Sequence, residues 1–233
     1  MNLINPYRFA AAAGESASRD FNGTSDWVRI PDFSYSTTAM TAMCWVKSLD
    51  TGDTTAILGH YDVNAQASWI VTFSAAGTNG GKNLRVVVSD DGGGIDVRAS
   101  YGTSGAGGES EISDGTWHHI AFTWSDPNTL NLFVDGVDVV AATIGGVADM
   151  HDSTADITLG SILNSGVDIA HYDGKLSDVR IYDEVVSGAN IATIIAGGDY
   201  ETNLAGRWIT DVDDVLDYST NSNHGLRWFN LRQ

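Results

Sequence analysis

The sequence has 233 residues, of which 30 are acidic and 12 are lysine or arginine, so its formal net charge at neutral pH is −18. Such an acidic chain repels the phosphates of nucleic acids and the headgroups of anionic lipids. We therefore expect no nucleic acid and no membrane as partner. The length suits one large all-β domain, and a hydrophobic content of 42% is enough for a continuous core.

The single cysteine, Cys44, excludes an intrachain disulfide and lies in an apolar run typical of a buried strand. Residues 1–13 lack the basic segment followed by an apolar segment that marks a secretory signal. No stretch approaches the roughly 18 apolar residues of a membrane span. We therefore expect the protein to be made in a cytoplasm, and a particle assembled there is one way in which it could reach a cell exterior.

Short runs rich in β-branched and aromatic residues recur along the chain between clusters of Gly, Asp, Asn and Ser, a pattern typical of half-buried antiparallel strands. In chain order the predicted strands cover residues 27–30, 42–47, 55–59, 68–74, 84–89, 95–100, 118–125, 129–134, 138–142, 157–159 and 175–182. Asp135-Gly136 separates two of them and predicts a tight hairpin. Residues 187–197 indicate one short helix, opened by Ser187 and closed by Gly197. This all-β pattern favours a sandwich or barrel.

Residues 1–19 show no helical or strand period, yet they contain several large apolar side chains, namely Leu3, Ile4, Tyr7 and Phe9. We interpret them as an N-terminal arm that cannot bury itself on its own chain. These four side chains are expected to anchor the protein to a partner or to identical subunits.

Four segments, in order, resemble the laminin-G-like branch of the concanavalin A-like lectin/glucanase superfamily. They are FNGTSDWVRIP at 21–31, MTAMCWVK at 40–47, DGTWHHIA at 114–121 with LFVDG at 132–136, and GKLSDVRIYD at 174–183. The resemblance implies an antiparallel jelly-roll β-sandwich and a binding or structural role. It assigns Trp45, Trp117 and Ile181 to the structural core.

The resemblance divides the chain into an arm at 1–19, a sandwich at 20–197 and a C-terminal segment at 198–233. In the family, a W-x-L-D element followed by D-x-S-x-N-x-N-x-G usually precedes the first motif. Here the likeness comes last, at Trp208 and at residues 217–225. Because the ends of a sandwich chain lie close together, we expect this segment to complete the sandwich in permuted order, or to complete a neighbour's.

Glycoside hydrolases share this fold, and in the relevant branch their carboxylates alternate along one strand as E-x-D-x-E. Retaining hydrolysis needs two carboxyl groups about 5 Å apart. The nearest match, Glu109-Ser110-Glu111, lies in a glycine-rich stretch and lacks the third carboxylate. We therefore expect a protein that is not an enzyme, with a glucanase-like hydrolase as the third alternative.

Relatives of the laminin-G type often hold a calcium ion at the sandwich rim, between an Asp of one loop and oxygens of the next. The matching loops supply Asp62, Asp90 and Asp91 as the expected ligands. The alternative is that these are ordinary acidic loops. For a glycan, which needs an aromatic platform beside polar groups, the loop-like stretches offer Tyr101, His171 and Tyr172.

The opening Asn5-Pro6-Tyr7-Arg8-Phe9 resembles the start of some tailed-bacteriophage virion proteins. The leading hypothesis is therefore a virion protein of the head or tail with a lectin-like domain that adheres to glycans, in contact with a shell or tail protein. The alternative is a free bacterial carbohydrate-binding lectin, located in the cytoplasm or exported by a non-classical route.

Overall fold

The computed structural model describes residues 18–48, 54–75, 82–102, 112–127, 129–139, 149–208, 216–223 and 226–228. The arm residues Leu3, Ile4, Tyr7 and Phe9 lie outside these ranges, as do Glu109 and Glu111. In chain order the strands are β1 (Arg19–Asn22), β2 (Trp27–Ile30), β3 (Ala39–Lys47), β4 (Thr55–Asp62), β5 (Gln66–Ala75), β6 (Lys82–Val88), β7 (Val97–Tyr101), β8 (His118–Ser125), β9 (Thr129–Val134), β10 (Val137–Asp138), β11 (Ile157–Leu159), β12 (Ile162–Asn164), β13 (Val167–Ile169), β14 (Asp173–Tyr182), β15 (Leu204–Trp208) and β16 (Leu226–Trp228). One helix, α1 (Gly188–Ile195), lies between β14 and β15.

The strands form two sheets. The first has the order β1-β14-β3-β8-β9-β10, with β15 also paired to β14. The second has the order β16-β2-β11-β4-β5-β6-β7, with the β12–β13 hairpin attached to β4. Apart from the single parallel contact between β12 and β4, the recorded strand pairs are antiparallel. The predicted all-β antiparallel sandwich with one short helix is confirmed. In the described part of the chain, α1 is too short to cross a membrane.

The two sheets bury one apolar core between them. Strand alternation sends Ala42, Cys44 and Val46 of β3 into this core, because successive side chains of a strand point to opposite faces. The sheets meet where Trp69 of β5 packs against Phe122 of β8, with ring centroids 5.3 Å apart. Ile181 lies in the same core and is fully buried.

Trp45 and Trp117 do not lie in this core, which corrects their assignment from sequence. Both are half-buried, and Trp45 makes an edge-to-face contact with His119, at 5.3 Å between centroids. The register pairs Trp45 with His119 across β3 and β8, on the face opposite Cys44. Residues on both faces of β3 are largely covered, so the sequence of this strand is apolar throughout. Apolar content alone therefore does not show which aromatic residues lie between the two sheets.

The helix begins and ends where its capping residues predict. The Ser187 hydroxyl accepts a hydrogen bond from the Asn190 backbone N–H at 3.3 Å, and Gly197 follows with a positive φ of 81°. The side chains of Ile191 and Ile194 lie on the buried side of the helix. The predicted Asp135-Gly136 hairpin also forms, between β9 and β10, with both residues at positive φ.

The C-terminal segment packs on its own chain. β15 pairs with β14 and β16 pairs with β2, and Trp208 is fully buried in the main core. The loop after β15 is built around the Asp217 carboxylate, which accepts backbone N–H bonds from Arg207, Ser219 and Asn223 at 2.7–2.8 Å. The displaced motif therefore supplies a turn that holds the last strands against the sandwich.

A buried ion-pair cluster joins β14 to β15. The Asp178 carboxylate accepts hydrogen bonds from Arg180, at 2.6 Å, and from Arg207, at 2.7 Å. Burial raises the pKa of the Asp178 carboxyl, but the two guanidinium groups more than reverse this, and the pKa lies below its usual range. Removing one partner of such a buried pair is strongly destabilising, so this cluster fixes β15 at the sheet edge.

Two buried histidines are held in the neutral form. Burial lowers the pKa of both His60 and His119 to about 4. His60 accepts a hydrogen bond from the Tyr35 hydroxyl at 2.6 Å and donates one to the Ala155 carbonyl at 2.7 Å, which places its proton on Nε2. Tyr35 in turn accepts from Trp69 at 2.8 Å.

These histidines predict a loss of stability in mild acid. Between the ordinary histidine pKa of 6.5 and the native value of about 4, the unfolded chain binds protons that the native chain does not. The free energy of unfolding should therefore fall as the pH falls through this interval, by a few kcal/mol for each histidine at roughly 1.4 kcal/mol per pKa unit. Denaturant titrations at several pH values, with NMR of the imidazole protons, measure this. Ring signals of His60 and His119 that titrate near pH 6.5 would contradict it.

Candidate functional site

Different elements cover the outer faces of the two sheets. On the first sheet, α1 lies across the face, and its isoleucines pack against Met43, Ala121 and Phe133. On the second sheet, the β12–β13 hairpin packs beside β4, where Ile162 contacts the sheet. The face of the second sheet continues beyond this hairpin onto β5, β6 and β7.

A strip of three buried apolar side chains crosses this outer face, formed by Ala56 of β4, Ile70 of β5 and Val87 of β6. Tyr61 is half-buried and packs against the strip. The tyrosine ring thus has one side on an apolar support and keeps part of its surface in solvent. An aromatic ring held in this way is the usual platform for an apolar sugar face.

Two arginines continue the same face. The unbroken register of β5, β6 and β7 gives two cross-strand rows, Ile70–Val87–Arg98 and Thr72–Arg85–Ser100. Directly paired residues in antiparallel strands share a face, so the rows place both guanidinium groups on the outer side beside the apolar strip. We call the set of Tyr61, Thr72, Arg85 and Arg98 the arginine face.

Polar atoms of the arginine face are buried without partners. Thr72 is 2% exposed and its Oγ1 makes no hydrogen bond, and the Nε of Arg85 is likewise buried and unbonded. Burial and the charge of Arg98 lower the pKa of Arg85, while Tyr61 acts in the opposite direction. Buried polar groups are normally hydrogen-bonded, so these two atoms are exceptions to that rule among the described residues.

The loop between β6 and β7 brings three carboxylates together. Ligand oxygens of Asp90, Asp91 and Asp96 lie within 4.8 Å of one another. Asp96 Oδ2 accepts hydrogen bonds from the Ser89 hydroxyl and from the Asp90 backbone N–H, both at 3.1 Å. Asp91 Oδ1 accepts the Gly93 N–H at 2.7 Å. The remaining oxygens can serve a cation, and we call these three residues the acidic loop.

Glycine fixes the position of the acidic loop. Gly92 has a φ of +78°, and a side chain there would lie 2.8 Å from both the Ala65 carbonyl oxygen and Nε2 of His151. Its carbonyl accepts a hydrogen bond from Ala67 at 3.1 Å. The loop therefore lies tightly against the start of β5, and a larger residue at this position would displace the carboxylates.

The electrostatics of the acidic loop suit a hard cation. Slight burial, then the charges of Asp96 and Asp91, raise the pKa of Asp90. Three neighbouring carboxylates repel one another, and a bound cation relieves that repulsion as well as protonation does. Carboxylate oxygens are also the ligands that calcium prefers. The donor set thus fits calcium.

The acidic loop and the arginine face adjoin. Asp96 immediately precedes β7 and Arg98 is its second residue, so their backbones are about 7 Å apart along the strand direction. Burial raises the pKa of Tyr61, Arg85 lowers it, and Asp96 raises it again. Tyr61 therefore interacts electrostatically with Arg85 of the arginine face and with Asp96 of the acidic loop. We treat the face and the loop as a single candidate site.

Asp62 does not join the acidic loop, which corrects its place among the calcium ligands. Its oxygens accept backbone N–H bonds from Asn64, Ser165 and Gly166 at 2.9–3.1 Å. Burial raises the pKa of the Asp62 carboxyl, but these hydrogen bonds and nearby Arg29 bring it below its ordinary value. Its role is to fasten the β12–β13 turn to the end of β4.

Tyr172 is fully buried and cannot present its ring to a ligand, which corrects its place among the glycan-binding residues. It stacks on Phe73 at 6.2 Å between centroids and contacts Phe21 edge-on. Tyr172 lies where the chain passes from the second sheet into β14 of the first, and its ring therefore falls between the sheets.

Tyr101 and His171 lie in different surroundings. Tyr101 is half-buried and packs against the main core, on the side of β7 shared by Val97 and Ala99 rather than by Arg98. His171 is half-buried, with Nδ1 enclosed and unbonded, and follows Ala170, which packs on the apolar strip. Of the three glycan-binding residues inferred from sequence, His171 is the one whose chain neighbour packs on the apolar strip.

Sequence reasoning missed Tyr61, Arg85, Arg98 and Asp96. The available signal was a single arginine within each of two apolar strand runs, since alternation sends such a residue to the outer face. Which strands pair, and in which register, is a long-range property that the local pattern does not contain. Asp96 was missed because the strand was predicted to begin at Ile95, whereas β7 begins at Val97.

The chain matches the family model Laminin_G_3, described as the concanavalin A-like lectin/glucanases superfamily, over residues 22–192. No curated protein sequence matches it.

Solved structures share the fold at low identity. A heptameric SAP-like pentraxin from Limulus polyphemus superposes with a TM-score of 0.59 at 16% identity, covering 92% of this chain and 95% of the pentraxin. A putative carbohydrate-binding protein from Bacteroides ovatus gives 0.63 at 15% identity, covering 91% of this chain and 58% of that one. The CBM40 module of the Ruminococcus gnavus IT-sialidase, bound to α2,3-sialyllactose, gives 0.54 at 12% identity, covering 76% and 97%.

Proposed function

The chain belongs to the concanavalin A-like lectin/glucanases superfamily, and from this premise we propose that it is a non-catalytic carbohydrate-binding module. The observation that carries the proposal is the arginine face, where the partly exposed Tyr61 ring packs on an apolar strip that continues across the strands to Arg85 and Arg98. Two proteins of similar fold, a putative carbohydrate-binding protein and a CBM40 module bound to α2,3-sialyllactose, support the same class of ligand.

The site offers the two kinds of contact that sugars need. The Tyr61 ring and the apolar strip beneath it suit the C–H face of a pyranose. The guanidinium groups of Arg85 and Arg98 and the carboxylates of the acidic loop suit sugar hydroxyls, which both donate and accept. A small number of polar groups around an apolar support is typical of ligand sites.

The acidic loop is better suited to binding than to hydrolysis. Asp90 and Asp91 are exposed at the surface, whereas hydrolysis of a glycosidic bond benefits from a site that excludes water. The three carboxylates also repel one another in one small cluster, instead of standing on either side of a bound sugar as glycosidase carboxylates do.

We propose that calcium completes the site, held by Asp90, Asp91 and Asp96. The ion would supply the positive charge that the cluster lacks and an electrophilic centre for sugar hydroxyls. This differs from the ligand set expected from sequence, because Asp96 replaces Asp62.

Calcium should stabilise the metal-stripped protein. Millimolar calcium is expected to raise its melting temperature by a few degrees, since binding to the native state alone adds stability by mass action. Asp96→Asn should abolish the increase. Asp152→Asn, which removes the same charge from another exposed aspartate, should retain it. A wild-type protein that does not respond, or an Asp96→Asn variant that responds fully, contradicts the calcium site.

Binding to sugars is tested with the labelled full-length protein on an array of neutral, carboxylated and sulfated glycans. We expect selective retention, weakened at least about tenfold in Tyr61→Ala because the stacking platform is lost. Tyr218→Ala, which removes a 41% exposed tyrosine from the C-terminal loop, is the matched control. If no glycan is retained, or if Tyr61→Ala binds as the wild type does, the proposed function fails.

We further propose that the module belongs to a tailed-bacteriophage virion, with a shell or tail protein as partner. The support is the likeness of Asn5-Pro6-Tyr7-Arg8-Phe9 to the start of such proteins. In this proposal Leu3, Ile4, Tyr7 and Phe9 anchor the chain, and their burial contributes on the order of 6–12 kcal/mol before ordering costs are subtracted.

Removal of the arm should leave folding unchanged and abolish binding to the particle. A chain beginning at Ser18 keeps β1, which starts at Arg19 and pairs with β14, so its melting temperature should match that of the full chain. It should fail to co-sediment with particles that lack the protein, whereas the full chain binds them. Equal co-sedimentation of the two chains would contradict the anchoring role.

A further inference from the structure

Within the part of the chain that the structure describes, Arg85 and Arg98 stand next to each other without carboxylate partners. They are diagonal neighbours on β6 and β7, which places their β-carbons about 7 Å apart. Both are half-buried. Among the described residues, no carboxylate forms an ion pair with either, and the Nε of Arg85 is enclosed without an acceptor. Two like charges are therefore held together on a partly buried surface.

The absence of such partners is unusual for this chain. Acidic residues outnumber basic ones by 30 to 12, and three other arginines do have carboxylate partners: Arg29 pairs with Asp168, and Arg180 and Arg207 share Asp178. Placing two guanidinium groups together without a counter-charge costs free energy, because burial and like charge both disfavour their charged forms. A bound anion would remove that cost.

The surroundings limit which anion fits. Thr72 is cross-strand to Arg85 but is only 2% exposed, so the guanidinium groups are the donors that an anion would meet here. Arg98 lies close to the acidic loop, about 7 Å from Asp96 along the strand. A polymer with a charge on every unit, such as a nucleic acid, would be repelled there. A ligand with one anionic group beside neutral hydroxyls would not be repelled in this way.

We propose that Arg85 and Arg98 bind the carboxylate of an acidic sugar residue within a glycan. A carboxylate is planar and matches the fork of guanidinium N–H donors in a bidentate manner. The Tyr61 ring packs on the apolar strip of the same face and would support the pyranose that bears the carboxylate. This inference rests on the proposed carbohydrate-binding function and specifies its ligand class.

The first experiment compares glycans that differ only in the charged group. Isothermal titration calorimetry of the full-length protein, with calcium present, would use an oligosaccharide that contains a single uronic-acid residue, its carboxyl methyl ester and a sulfated analogue. We expect binding of the acid, with affinity at least about tenfold lower for the ester because the charge-assisted hydrogen bonds are lost. Equal affinity for acid and ester, or preference for the sulfated analogue, would overturn the carboxylate assignment.

The second experiment tests the two arginines. Arg98→Gln and Arg85→Gln should each lower the affinity for the acid at least about tenfold and leave the affinity for the ester unchanged. Arg98→Lys keeps the charge but not the fork, and should retain part of the affinity. Lys175→Gln, on β14 of the other sheet, removes one positive charge as a matched control and should bind as the wild type does. Melting curves verify that each variant is folded.

A third measurement keeps this inference separate from the proposed function. Methyl glucuronide is titrated into ¹⁵N-labelled wild type and Arg98→Gln while the arginine Nε–H signals are followed by NMR. Perturbation of the Arg85 and Arg98 signals supports the anion site even if the glycan array retains nothing. Unperturbed arginine signals, with glycans still bound on the array, overturn the arginine site and leave the carbohydrate-binding function standing.

Discussion

The register of β5, β6 and β7 is the constraint on which the candidate site depends. Thr72 pairs with Arg85, and Arg85 with Ser100, while Val87 pairs with Arg98. Because side chains alternate between faces, a slip of one residue in β6 would bring Arg85 into the core and push Leu84 and Val86 outward. The same pairing that fills the core with valines thus places both guanidinium groups on the outer face. The same backbone hydrogen bonds therefore determine both the packing of the core and the positions of the proposed ligand-binding side chains.

The charged groups of the two sheets differ in whether they are neutralised within the protein. Asp178 holds two arginines and closes the edge of the first sheet, so its cluster is satisfied within the protein. On the second sheet the opposite holds, since Arg85 and Arg98 repel each other, as do the three carboxylates of the acidic loop. These two unsatisfied groups adjoin without forming an ion pair among the described residues. A ligand with one carboxylate, together with a calcium ion, would complete both.

Much of the fold could be predicted from local sequence signals. The hairpin at Asp135-Gly136 and the helix opened by Ser187 follow from the residues that occupy those turns and caps. The candidate site was predicted less well, because it depends on pairing between distant strands. Tyr172 lies in a loop-like stretch by composition but crosses between the sheets, and Asp62 is fully used by backbone donors. Asp90 and Asp91 do come together, with a third carboxylate that sequence placed inside a strand.

A crystal structure of the protein with calcium and a uronic-acid disaccharide would show whether the ligand's carboxylate lies on the arginine face. We expect the carboxylate to accept hydrogen bonds from both Arg85 and Arg98, with the sugar ring against Tyr61. A disaccharide bound instead on the outer face of the first sheet, beside Trp45 and Trp117, would overturn the proposed site. So would a disaccharide bound at the arginine face with its carboxylate turned toward solvent.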